Sequence, residues 1–198
     1  MTDFVTALAV AFGVVFVAEL GDKTQLLALD FGARFSLRTV AIGLALGYGL
    51  ANIVATIVGG VLGAALPDRP IQIAGAVVFL GFAALAVRRA TSNSPDEQDM
   101  EHADSVAGTT TLSVVASIAG VIAVAEMGDK TQIATATLAS QSSPVGVWIG
   151  ATLGAASSGM VGAVAGSMIG HRISARALQF ASAVLFTLFG VAMLAGWF

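Results

Sequence analysis

A string of thirteen residues occurs twice in this chain. Gly13-Val14-Val15-Phe16-Val17-Ala18-Glu19-Leu20-Gly21-Asp22-Lys23-Thr24-Gln25 aligns with Gly120-Val121-Ile122-Ala123-Val124-Ala125-Glu126-Met127-Gly128-Asp129-Lys130-Thr131-Gln132 at an offset of 107, and ten of the thirteen positions are identical. The register holds beyond the string. Gly43 and Gly47 match Gly150 and Gly154, and Gly59 and Gly63 match Gly166 and Gly170. Arg69, Gln72, Phe79 and Phe82 match Arg176, Gln179, Phe186 and Phe189. Unrelated apolar segments share leucines and alanines, not a charged string and spaced glycines. Whatever fold one copy adopts, the other must repeat it.

Composition says where the two copies sit. Of the 198 residues, 57% are hydrophobic and 11% charged, against about 25% charged in a soluble domain. That deficit excludes ordinary cytosolic enzymes and disordered tails, and no nucleic-acid partner is expected at a net charge of −3. No cysteine is present, so there is no disulfide framework and no thiolate metal site. Six stretches are long enough to cross the ~30 Å hydrocarbon layer as helix: Phe4–Leu29, Thr39–Leu66, Ile71–Val87, Leu112–Ala139, Val145–Ile169 and Ala177–Trp197. They are apolar all round, whereas strands of a membrane barrel alternate. The expected class is an all-α integral membrane protein.

Three spans fall in each copy, residues 1–87 and 112–198, with the only long polar stretch, 88–111, between them. Three is odd, so the second copy enters the membrane from the opposite side. The expected architecture is six transmembrane helices as two inverted three-helix repeats, a plan that builds one site at mid-membrane. Within the linker, Asp96 to Asp104 holds five carboxylates and His102; it reads as a solvated segment with too little apolar surface to fold alone, and a divalent-cation sensor there is the weaker alternative. Met1-Thr2-Asp3 lacks a basic n-region, so the first span reads as retained rather than as a signal peptide. Arg34, Arg38, Arg88, Arg89, Arg172 and Arg176 fall on one side and only Arg69 on the other. The positive-inside rule then puts the linker in the cytoplasm and both termini outside. The glycines of helix two in each copy, at i, i+4 spacing, read as close helix contacts.

Charge in the middle of spans one and four is the feature that folding does not require. Glu19, Asp22, Lys23, Glu126, Asp129 and Lys130 lie in the interior third of those spans, where an Asp or Lys costs about 2.5–3.5 kcal/mol on insertion scales. In an unbroken helix Asp22 lies about −60° and Lys23 about +40° from Glu19, with Gln25 flanking Asp22 and Thr24 behind. Gly21 and Gly128 weaken the helix locally and would let backbone oxygen approach a ligand. Pairing Glu19 with Lys23 and Glu126 with Lys130 as i, i+4 salt bridges is the structural alternative. It still leaves two of the four acids uncompensated, and such a cluster must recruit a divalent cation or take up protons. Alternate occupancy by the two is an exchange mechanism. The donors are carboxylate, amide and hydroxyl oxygens: Glu19, Asp22, Gln25, Glu126, Asp129 and Gln132, with Lys23, Thr24, Lys130 and Thr131 in support. That set suits Mn²⁺, Ca²⁺ or Mg²⁺ rather than Cu⁺ or Zn²⁺, and Mg²⁺ surrenders its water reluctantly.

The doubled Glu-x-Gly-Asp-Lys-Thr string, at 19–24 and 126–131, resembles the signature of the Gdt-one family (uncharacterised protein family sixteen) of the cation/calcium exchanger superfamily. The resemblance covers nearly the whole chain except the linker. It implies Mn²⁺ and/or Ca²⁺ transport coupled to protons, with Glu19, Asp22, Glu126 and Asp129 at the cation site and Thr24, Gln25, Thr131 and Gln132 as neighbours. No resident cofactor is implied, the metal being cargo. The short chain resembles the bacterial members, which implies Mn²⁺ export across the inner membrane. Asn52 stands opposite Gly159 in the repeat and is expected to make a helix–helix hydrogen bond rather than to ligate. A passive divalent-cation channel or an exporter of small organic cations or amino acids are the rival readings. An intramembrane enzyme comes last, since neither His-Glu-x-x-His nor Gly-x-Ser-x-Gly is present and His102 and His171 lie in or beside loops.

Overall fold

A computed structural model describes residues 2–65, 67–91, 110–168 and 175–195. The acidic stretch 96–104, His171 and Arg172 lie outside the described residues, as do the side chains of Lys23, Gln72, Arg176, Gln179 and Phe189. The described chain is helical, with no strand. Its elements are α1 (Thr2–Glu19), α2 (Lys23–Arg34), α3 (Leu37–Ala65), α4 (Asp68–Thr91), α5 (Thr111–Glu126), α6 (Lys130–Gln141), α7 (Pro144–Met168) and α8 (Ala175–Leu194). Two helices are long and apolar enough to cross a bilayer, α3 and α7 (Pro144–Ala165), and up to four spans result if each bent pair counts as one.

The bent pairs are α1–α2 and α5–α6, and they answer what the sequence left open, whether the first and fourth spans break at Gly21 and Gly128. Each breaks inside the charged string, at bends of 80° and 79°. The cause is glycine: Gly21 sits at φ +77° and Gly128 at φ +80°, left-handed backbone that residues with a Cβ rarely adopt. Asp22 and Asp129 then start the next helices as N-cap residues with extended backbone. Elsewhere the helix ends follow local chemistry. Thr110 and Ser113 form a reciprocal capping box at the start of α5, and Pro144 opens α7 where a missing N–H costs nothing.

Each broken pair packs on the long helix of the other copy. α1 and α2 lie against α7, α5 and α6 lie against α3, and α3 meets α7, while α4 and α8 pair with each other. Exchanging the two copies leaves these main contacts unchanged, although α4 also meets α6 and α1 meets α8 without equally extensive counterparts. Phe79 even touches its own repeat mate Phe186, with ring centroids 5.9 Å apart. The aligned glycines are where the backbones meet. A Cβ at Gly150 would lie 2.2 Å from the Leu8 carbonyl oxygen, and one at Gly63 would lie 2.1 Å from that of Ser140. No side chain fits there, so glycine sets the helix separation. Tyr48, Phe31, Phe79, Phe186 and Leu44 fill the buried core. The outer face of α3 carries Ile42, Leu46, Leu50, Ile53, Val54 and Ile57 exposed, a belt suited to lipid rather than to water.

Candidate metal site

The two breaks bring the charged strings together. One carboxylate oxygen from each of Glu19, Asp22 and Asp129 lies within 4.8 Å of the others, so three acids from both copies share one small volume. Glu19 is 1% exposed and Glu126 3%. Glu126 does not join that group of three, yet it sits in the field of Glu19, Asp129 and Asp22. Lys130 of the second copy makes an ion pair with Asp22 of the first. This replaces the i, i+4 pairing of Lys130 with Glu126.

The break also decides how each glutamate is held. Thr24 Oγ1 donates to Glu19 Oε2 at 2.9 Å, and Thr131 Oγ1 donates to Glu126 Oε2 at 3.1 Å. In a continuous helix residues five apart stand about 140° from each other, which is why Thr24 was expected behind Glu19. The left-handed glycine turns the chain back and closes a five-residue bridge instead. The other oxygens, Glu19 Oε1 and Glu126 Oε1, are buried with no hydrogen-bond partner among the described residues. A buried carboxylate oxygen without a donor is costly, and a cation or a proton is what it can accept. Neither Asp22 nor Asp129 uses its side chain to cap the helix it begins.

The glutamines behave differently from each other. Gln25 spends its amide on protein: Oε1 accepts the Gly21 N–H at 2.6 Å, and Nε2 donates to the Ser158 carbonyl at 3.3 Å. Gln132 Nε2 is buried with no hydrogen-bond partner among the described residues. Asn52 Nδ2 meets Thr152 Oγ1 on α7 at 3.5 Å, the helix–helix contact expected of it. Sequence reasoning missed Tyr48. It is fully buried, beside Thr24 and in the field of both glutamates. Two signals could have found it: it is the only tyrosine of the chain, and it stands opposite Ala155 in the repeat.

The donors gathered here are all oxygen, and the helix breaks point a helix start at each motif aspartate, as in transporters that bind ions at interrupted helices. The family model described as divalent cation/proton antiporter GDT1 matches residues 7–94 and 114–198. The chain is 32% identical to a GDT1-like protein of Synechocystis over 94% of its own length and 95% of that protein. It is 28% identical to protein PAM71, chloroplastic, of Arabidopsis thaliana, over 98% of its own length but only 58% of that protein. GDT1-like protein 3 of Arabidopsis thaliana is 29% identical, with 93% of this chain and 69% of that protein covered. No solved structure matches.

Proposed function

This chain belongs to the GDT1 family of divalent cation/proton antiporters, and on that footing we propose that it exchanges a divalent cation, Mn²⁺ and/or Ca²⁺, for protons across a membrane. The observation that carries the reading is the meeting of Glu19 and Asp22 of one copy with Asp129 of the other within 4.8 Å. The doubled motif holds four acids, Glu19, Asp22, Glu126 and Asp129, against two lysines, Lys23 and Lys130, a formal −2. One divalent ion or two protons cancel that charge, and a low-dielectric site cannot stay without either. Occupancy by one therefore excludes the other, which couples their fluxes. Glu126, held by Thr131 beside the three, is an acid poised to join the coordination or to carry a proton. Carboxylate and hydroxyl donors favour Mn²⁺ or Ca²⁺ over softer ions.

The same reading takes residues 1–87 and 112–198 as two inverted three-helix repeats and 88–111 as the linker. The matching main contacts of the two copies support the repeat, and an odd number of crossings per copy would turn the second one over. The distribution of arginines in the sequence supports a cytoplasmic linker with both termini outside. The near end-to-end match to a cyanobacterial relative favours a bacterial membrane, with Mn²⁺ export as the direction.

The test is flux in proteoliposomes carrying an internal pH dye. Mn²⁺ or Ca²⁺ supplied outside should enter while the lumen turns alkaline, and an acid lumen should drive the metal uphill. Metal entry that ignores the proton gradient would make the protein a channel and end the antiport reading.

A further inference from the structure

Copies of one motif need not do one job. Through its two bonds, to the Gly21 N–H at 2.6 Å and to the Ser158 carbonyl at 3.3 Å, Gln25 ties the loop between α1 and α2 to the long helix of the other copy. Gly162 makes the approach possible: a Cβ there would lie 2.5 Å from the Gln25 carbonyl oxygen and 2.8 Å from its Cγ. In the other copy the residue at the position of Gly162 is Ala55, buried on α3. By the repeat, a methyl group thus stands at the position that Gly162 leaves open for Gln25. The second break has the same backbone bonds as the first but, among the described residues, lacks that side-chain tie. Gln132 Nε2 has no hydrogen-bond partner among the described residues, and nothing lies within 4 Å of a Cβ built on Gly128. Met127 is 65% exposed, whereas its repeat mate Leu20 is half-buried.

We propose that Gln25 is a positioning residue that pins the first break, and with it Glu19 and Asp22, to α7, while the unpinned second break is the half of the site that moves. What the movement serves rests on the antiport reading above. Asp129 and Lys130 follow Gly128 directly, so a shift of the second break carries both relative to Asp22. One displacement then changes the cation's ligands and the Lys130–Asp22 ion pair together. Gln25 is on this account not a ligand, since both ends of its amide are engaged with backbone.

Amide hydrogen exchange on the whole chain in lipid nanodiscs, free of metal, tests the pin without requiring transport. The Gly21 amide should exchange severalfold, up to about tenfold, more slowly than that of Gly128, the range one neutral hydrogen bond is worth. Gln25→Met keeps the side-chain length and removes both bonds; it should accelerate Gly21 and the 158–163 segment of α7 together. Ala55→Gly makes room for a second pin, so Gly128 should slow, and Mn²⁺ turnover in proteoliposomes should fall severalfold with KM little changed. Equal exchange at Gly21 and Gly128 in the unaltered protein would overturn the proposal. So would a Gln25→Met variant that accelerates Gly21 alone, the mark of a local helix cap, or an Ala55→Gly variant with both readouts unmoved. A wild-type chain that moves no Mn²⁺ would sink the antiport reading instead, and the exchange comparison would still decide the pin.

Discussion

Lys130→Met is the perturbation whose outcome the geometry fixes best. The ammonium of Lys130 is paired with Asp22, and both side chains are largely buried, at 14% and 7% exposure. Methionine keeps the length and removes the charge. The doubled motif, four acids and two lysines, then goes from a formal −2 to −3. Two unit charges about 4 Å apart interact by about 4 kcal/mol at an effective dielectric of 20. Breaking a buried pair by removing one partner typically costs about 3–5 kcal/mol, so the metal-free variant should melt well below the unaltered protein. A divalent cation replaces the missing positive charge. Mn²⁺ should therefore raise the melting temperature of Lys130→Met by more than it raises that of the unaltered protein. In proteoliposomes KM for Mn²⁺ should fall by about an order of magnitude, equivalent to about 1.4 kcal/mol, and turnover should fall because release is slowed. The assay is a thermal melt in detergent with and without saturating Mn²⁺, paired with initial rates of uptake. Equal melting temperatures without metal, or a smaller Mn²⁺ shift in the variant, would refute the reasoning.

Three further outcomes follow from the same contacts. Glu19→Gln and Asp129→Asn should each abolish Mn²⁺ flux while the purified protein keeps its size-exclusion profile, and wild-type flux from either would remove that residue from the site. Thr24→Val deletes the hydroxyl that holds Glu19, a charge-assisted bond worth about 1.5–3 kcal/mol; KM for Mn²⁺ should rise about tenfold or more, and by less in Thr131→Val, because Glu126 stands outside the group of three. Gly150→Ala drives a methyl to 2.2 Å from the Leu8 carbonyl oxygen, whereas Gly13→Ala meets nothing within 4 Å; thermal melts should show the first destabilised by about 1–3 kcal/mol or more and the second unaffected.

Much of this was legible in the sequence because it depends on residue type and on repetition. The offset of 107 identified the paired strings, and the cost of charge in apolar spans singled out Glu19, Asp22, Glu126 and Asp129. Spaced glycines foretold close helix contacts, as at Gly150 on Leu8. What could not be read was geometry that a single backbone dihedral controls. An unbroken helix puts Thr24 behind Glu19 and Lys130 beside Glu126; one left-handed glycine per copy reverses the first and frees the second to reach Asp22. Gly21 and Gly128 were visible as weak points, but helical periodicity carries no information across a break. Departures from the repeat were the other under-used signal. Tyr48 opposite Ala155 and Gly162 opposite Ala55 mark where a two-fold sequence builds an unequal site.

A crystal or cryo-EM structure of the whole protein soaked with Mn²⁺, with the ion located by its anomalous signal or by its density, tests the central claim most directly. One Mn²⁺ in direct coordination with carboxylate oxygens of Glu19, Asp22 and Asp129, drawn from both copies, is the result this account predicts. An ion bound by one copy alone, or at the 88–111 linker with the two breaks empty, would contradict it.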